Sequence, residues 1–169
     1  LGWYLSGHPS SEYQPLLEQL VGTPLGRADS LLPQGSGEQG HGGRGVIVTL
    51  AGMVADVRRR GDSQAFVSLE DWTGRVEASF FAEGWLENAP RLSRERIVLI
   101  EGQLRPDNFN GGGVSLRGRG VLDLDEALAR YAETLHLTLD AERIDMAALA
   151  AELRASRSGR CSLRLRVRA

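Results

Sequence analysis

Residues 65–81, AFVSLEDWTGRVEASFF, constrain this chain more than any other stretch. Two runs rich in β-branched and aromatic residues, 65–70 and 75–81, flank Asp71-Trp72-Thr73-Gly74, and an Asp and a Gly in so short a connection fit a tight turn. A β-hairpin is predicted. Side chains alternate along a strand, so Ala65, Val67 and Leu69 share one face and Phe66, Ser68 and Glu70 the other. On the second strand Val76, Ala78 and Phe80 alternate with Arg75, Glu77 and Ser79. One face suits a core and the other water or a ligand, with a single aromatic, Phe66, on the wet side.

The rest of the chain reads outward from this hairpin. From Val46 to Asp123 the pattern stays that of strands. Residues 46–57 form a long strand with Val48, Leu50, Gly52 and Val54 on one face, and Gly52 marks a bend or a close backbone approach. Residues 58–64, RRRGDSQ, read as a loop before the hairpin. After it, Ala82, Trp85, Leu86 and Ala89 recur at helical spacing and Pro90 ends the run, which predicts a short helix. Residues 97–104 form a continuous apolar strand, 105–113 (RPDNFNGGG) a second exposed loop, and 114–122 a fifth strand with Arg117 and Arg119 outward. Three strands, a helix and two strands within about 80 residues is the order of the OB-fold, a small five-stranded Greek-key barrel. Such barrels contact ligands through the loops between strands one and two and between strands four and five, here RRRGDSQ and RPDNFNGGG.

The flanks are less regular. Ser11 with Gln14 fits a capping box and predicts a helix from there to Leu20, with Pro15 limiting its regularity. Residues 34–45 are half glycine, a linker composition and a domain boundary. They lack the Gly-Lys-Ser/Thr ending of a phosphate-binding loop and the strand that precedes a dinucleotide-binding one. Beyond the barrel, 124–132 predicts a helix with Asp125 and Glu126 in its first turn, 135–139 a strand, Asp145 the cap of a helix striped by Met146, Leu149, Ala150 and Leu153, and 163–167 a strand. This β-α-β piece has no covering layer of its own and reads as the truncated start of another domain. Opening on LGWYL without an initiating Met, the chain reads as a piece of a longer one. The expected architecture is mainly β: residues 1–33 a helical linker segment, 34–45 a Gly-rich linker, 46–123 the barrel, and 124–169 the connecting helix and truncated C-terminal piece.

Composition narrows the function. No apolar run approaches the roughly 18 residues of a membrane span, and no leader resembles a signal peptide, so a cytoplasmic address without membrane contact is expected. Cys161 is the lone cysteine and the histidines, His8, His41 and His136, are far apart, which excludes an internal disulfide and a zinc-ligand spacing. All 20 basic residues are arginine, a sign of coding bias, and the net charge is −2. Across residues 44–123 eleven arginines meet eleven acids, whereas 143–169 holds seven against two. Arginines alternating at the end of the chain suit solvation or protection of an edge strand. No paired-carboxylate metal site stands out, and Cys161 or Ser158 lacks a neighbouring base for nucleophilic catalysis.

Five motifs in order, LGWYLSGHP at 1–9, TLAGMV at 49–54, FVSLEDWTGRVE at 66–77, IEGQL at 100–104 and VLDLDEA at 121–127, together resemble the C-terminal region of the alpha subunit of bacterial DNA polymerase III. FVSLEDWTGRVE alone also resembles the anticodon-binding OB domains of class II aminoacyl-tRNA synthetases, which carry a Gln where this chain has Glu77; a carboxylate there repels phosphate. The polymerase resemblance implies an OB domain that contacts single-stranded template DNA, a final domain that binds the clamp-loader tau subunit, and a sliding clamp as a further partner. It also implies that the catalytic carboxylates and their Mg2+ belong to the parent's palm, so no cofactor and no catalytic residue is expected within these residues. Contact by stacking and charge would use Phe66 and Phe109 for bases, with Arg58, Arg59, Arg60, Arg105, Asn108 and Arg117 around them. The alternatives are a protein-interaction and spacing module that positions the polymerase relative to clamp and clamp loader, and an anticodon-type domain.

Overall fold

The computed structural model describes residues 9–33, 45–107, 112–140, 143–155 and 159–168. β1 (Val46–Arg60) is its spine. The first half of β1 pairs antiparallel with β4 (Ile97–Pro106), from Val46↔Leu104 to Met53↔Ile97. Its second half pairs antiparallel with β2 (Gln64–Glu70), from Met53↔Glu70 to Arg60↔Gln64. A strand shared this way has to bend, and Gly52 stands at the changeover. A Cβ there would lie 2.9 Å from the Glu70 carbonyl oxygen, which is the close approach expected of this glycine. β2 turns into β3 (Arg75–Phe81), β3 runs parallel to β5 (Val114–Asp123), and β5 pairs antiparallel with β4. The ring closes in the order β1-β2-β3-β5-β4, a five-stranded OB-fold barrel.

Alternation along the hairpin fills the barrel as predicted. Val67, Leu69, Ala78 and Phe80 are completely buried with Leu50, Val54, Ile100, Leu104 and Leu116. Each large side chain so buried contributes roughly 1.5–3 kcal/mol. Phe80, the largest, fits because Gly118 faces it: a Cβ at that glycine would lie 2.4 Å from the ring. The ring of strands leaves two openings, and each receives apolar side chains from outside the strands. Leu25 and Ala28, from a 3-10 helix at Leu25–Leu31, join the core near the β2–β3 turn. Trp85, from the helix Glu83–Asn88 between β3 and β4, and Leu92 after it, join from elsewhere.

Asp71 ties the first of these plugs to the barrel. It is 4% exposed, and its Oδ1 accepts hydrogen bonds from the Thr73 backbone N–H, the Thr73 hydroxyl and the Gly74 N–H, while Oδ2 accepts from the Leu25 N–H at 2.7 Å. Thr73 Oγ1 in turn accepts from the Gly26 N–H. The hairpin turn is therefore also the anchor of the N-terminal segment.

The N-terminal helix α1 (Gln14–Val21) follows a 3-10 turn at Pro9–Tyr13, and its cap position, Tyr13, makes no side-chain cap bond. The predicted start at Ser11 is corrected: a proline at position 15 would collide with the carbonyl of Ser11 inside such a helix. Starting at Gln14 puts Pro15 in the first turn, where its missing N–H is not needed. α1 lies against β1, and Leu17, Ala51 and Leu99 are buried there outside the barrel core.

The helix at Glu83–Asn88 is α2. Contacts divide the chain into two units, 1–124 and 125–169. α3 (Leu124–Tyr131) spans that boundary. In the second unit β6 (Thr134–Asp140) and β7 (Ser162–Arg168) pair in parallel, joined by α4 (Met146–Ala155). Asp145 caps α4 as predicted, its Oδ1 accepting from the Ala147 and Ala148 N–H groups. Leu135, Met146, Leu163, Leu165 and Val167 are exposed.

Candidate nucleic-acid interface

The three consecutive arginines are strand residues, not loop residues. β1 runs through Arg60 and β2 begins at Gln64, so the connection is only Gly61-Asp62-Ser63. Their aim is set upstream. Between Val54↔Leu69 and Asp56↔Ser68 the register shifts by one residue, a β-bulge at Ala55. Up to Val54 the even-numbered residues of β1 face the core; past the bulge Val57 does, so Arg58 and Arg60 turn outward. The bulge is held by the chain before β4: the Val54 N–H donates to the Arg96 carbonyl, and the Glu95 N–H donates to that of Val54.

Outward residues line up across the barrel. Arg58 pairs with Phe66, Phe66 with Ser79, Ser79 with Arg117, and Arg117 with Gln103. Two Phe–Arg couples stand on this row and beside it. The Arg60 guanidinium lies over the Phe66 ring, 5.7 Å from its centroid, and that of Arg117 over Phe81 at 5.4 Å. Phe81 is 41% exposed. Between the couples lies the small side chain of Ser79. Arg58 forms a salt bridge with Glu77, and Arg105 donates to the Gln103 side-chain oxygen at 2.6 Å. Arg59 points the other way and covers the buried Trp85, 5.1 Å from its ring centroid.

Beside Phe81 the face opens into a cleft of about 460 Å³, walled by Arg117 and Arg119 on β5 and by Glu83 and Glu87 on α2. Asn88 fixes α2 against β5: its amide donates to the Gly84 and Arg119 carbonyls and its Oδ1 accepts from the Val121 N–H at 2.9 Å. Arg119 occupies the extra position where Glu101↔Gly120 gives way to Gly102↔Gly118. Among the described residues no group of three or more His, Cys, Asp or Glu side chains is placed to hold a metal ion. No described helix is long and apolar enough to cross a membrane.

Residues 48–124 match the family described as OB-fold nucleic acid binding domain. The DNA polymerase III subunit alpha of Xylella fastidiosa (strain Temecula1) is 42% identical over 156 residues, 86% of this chain and 13% of that one. That of Escherichia coli (strain K12) is 33% identical over 149 residues, 86% of this chain and 12% of that one. The chain is homologous to a region of bacterial DNA polymerase III alpha. It spans only 12–13% of these relatives. Among solved structures, asparaginyl-tRNA synthetase from Pyrococcus horikoshii aligns with 31% identity and a TM-score of 0.41, over 47% of this chain and 20% of that one, which adds nothing to the assignment.

Within this polymerase-alpha homologue the structure gathers some of the expected contact residues and separates others. Arg58, Arg60, Phe66 and Arg117 share the outer face of the barrel. Arg105 is on β4 rather than in a loop, and Arg59 is turned toward α2. Asn108 and Phe109 lie outside the described residues. Phe81 was missed, although continuing the alternation of Arg75, Glu77 and Ser79 by one step places it on the same face.

Proposed function

We propose that the outer face of this barrel binds single-stranded DNA as the template-contacting domain of a replicative polymerase alpha subunit, holding the strand without carrying out catalysis itself. The observation that carries the reading is the pair of Phe–Arg couples, Phe66 with Arg60 and Phe81 with Arg117, on either side of Ser79. From strand geometry the two aromatic residues stand about 8 Å apart, one strand over and two residues along. Each ring offers a face to a neighbouring base, and stacking of this kind accepts any base because every base has a π-face. The guanidiniums beside the rings supply phosphate contacts. Glu77 limits the grip by engaging Arg58. Binding is therefore expected to be modest and sequence-tolerant, in a cytoplasmic protein.

A titration of the chain with a fluorescently labelled single-stranded oligonucleotide at several salt concentrations tests this. Contacts from Arg60 and Arg117 predict a log–log salt slope of about −1.4, at roughly −0.7 per phosphate on a single strand. Binding that ignores salt, or no binding at low salt, contradicts the reading.

The second unit favours an additional role in protein contact. Its exposed Leu135, Leu163, Leu165 and Val167 suit an apolar interface, with the sliding clamp or the clamp-loader tau subunit as the proposed partners. Association through such a surface would persist as salt is raised.

A further inference from the structure

We propose that the cleft between β3, β5 and α2 receives a single unpaired nucleobase carrying an exocyclic amino group, stacked at Phe81 with its amino edge toward Glu83 and Glu87. This rests on the single-strand reading above and adds a site and a preference to it. The cleft has one aromatic wall, one cationic wall and one acidic wall, formed by Phe81, by Arg117 and Arg119, and by Glu83 and Glu87. A phosphate is repelled by the acidic wall, so the sugar-phosphate backbone stays on the arginine side. What enters between the walls is then the base.

A carboxylate accepts hydrogen bonds and donates none. It suits the N4 amino group of cytosine, which presents two N–H donors at the edge of the ring. Thymine presents its single N–H between two carbonyl oxygens, and both of those face a carboxylate unfavourably. Gln103 lines the same cleft; its Nε2 donates to the Gly45 carbonyl at 3.3 Å, and its second N–H can donate to a base carbonyl. Phe81 is already engaged by the Arg117 guanidinium, a flat cation on which a base can also stack. The tethering of α2 through Asn88 to the β5 backbone keeps the acidic wall in place.

The test compares labelled oligodeoxycytidylate with oligothymidylate of equal length, at low salt and at slightly alkaline pH where cytosine is neutral. The intact chain is measured beside Phe81→Leu and the double variant E83Q/E87Q. Glu83, Glu87 and Phe81 are exposed, so these variants keep the fold. The chain is expected to prefer oligodeoxycytidylate about fivefold, the discrimination one net hydrogen bond supports. E83Q/E87Q is expected to abolish the preference without weakening oligothymidylate, and Phe81→Leu to weaken both oligonucleotides about tenfold, as loss of one stacked base does. Equal binding of the two oligonucleotides, or a preference unchanged in E83Q/E87Q, overturns the cleft proposal while the single-strand reading stands. If neither oligonucleotide binds the intact chain, both fall.

Discussion

Replacing Arg60 and Arg117 together by alanine is expected to weaken single-stranded DNA binding about thirtyfold at low salt, at roughly 1 kcal/mol per phosphate contact. The salt slope should fall toward zero in the same variant, because no counterions would be released at those positions. Arg60 and Arg117 lie on the outer face over Phe66 and Phe81, while Arg59 is turned toward α2 over Trp85. Among the described residues, Arg60 and Arg117 are held by rings rather than by carboxylates, so their charge is available to a phosphate. Arg58 differs, being paired with Glu77. Glu77→Gln is thus expected to act in the opposite direction, tightening binding about fivefold by freeing Arg58 and removing a repulsive charge from the face. Opposite signs from neighbouring residues on one face would not arise from a general loss of structure. A circular-dichroism melt of each variant provides the control.

Asp71→Ala is expected to lower the stability of the barrel by about 3 kcal/mol, read by urea denaturation, and its midpoint temperature by about 10 °C. The carboxylate accepts four hydrogen bonds, from Leu25, from Thr73 twice and from Gly74. Removing it leaves the donors at the turn without their acceptor and loosens Leu25, which plugs the core. Asp71→Asn separates the two effects. One amide oxygen can still serve the Thr73 and Gly74 donors at the turn, but an NH2 group at the Oδ2 position faces the Leu25 N–H, donor against donor. A loss of about 1.5 kcal/mol is expected for that variant, with the turn intact. An alanine variant as stable as the parent would show that the N-terminal segment is not held through Asp71.

What the residues revealed in advance was what two-residue alternation can reveal. Ala65 to Phe80 turned out to face core and solvent as read, because each position is decided by its immediate neighbours. The direction of Arg58–Arg60 was not legible. It depends on the bulge at Ala55, and that bulge is held by Glu95 and Arg96, forty residues further on. No glycine or proline signals it locally. Leu25–Leu31 was missed for a related reason: Leu25, Ala28 and Leu31 recur every three residues over only two turns, too short a run to read, and the segment is ordered by Asp71 and Thr73 of the hairpin turn. The α2 cleft was likewise invisible, since it exists only because Asn88 brackets the helix to β5.

Whether the strand lies across the outer barrel face can be read by mapping backbone amide chemical shifts of the isotope-labelled chain as a short single-stranded oligonucleotide is added. The largest changes are expected at Arg60, Phe66, Ser79, Phe81 and Arg117, with β6 and β7 unmoved. Changes confined to the second unit, or scattered without reference to this face, would contradict it.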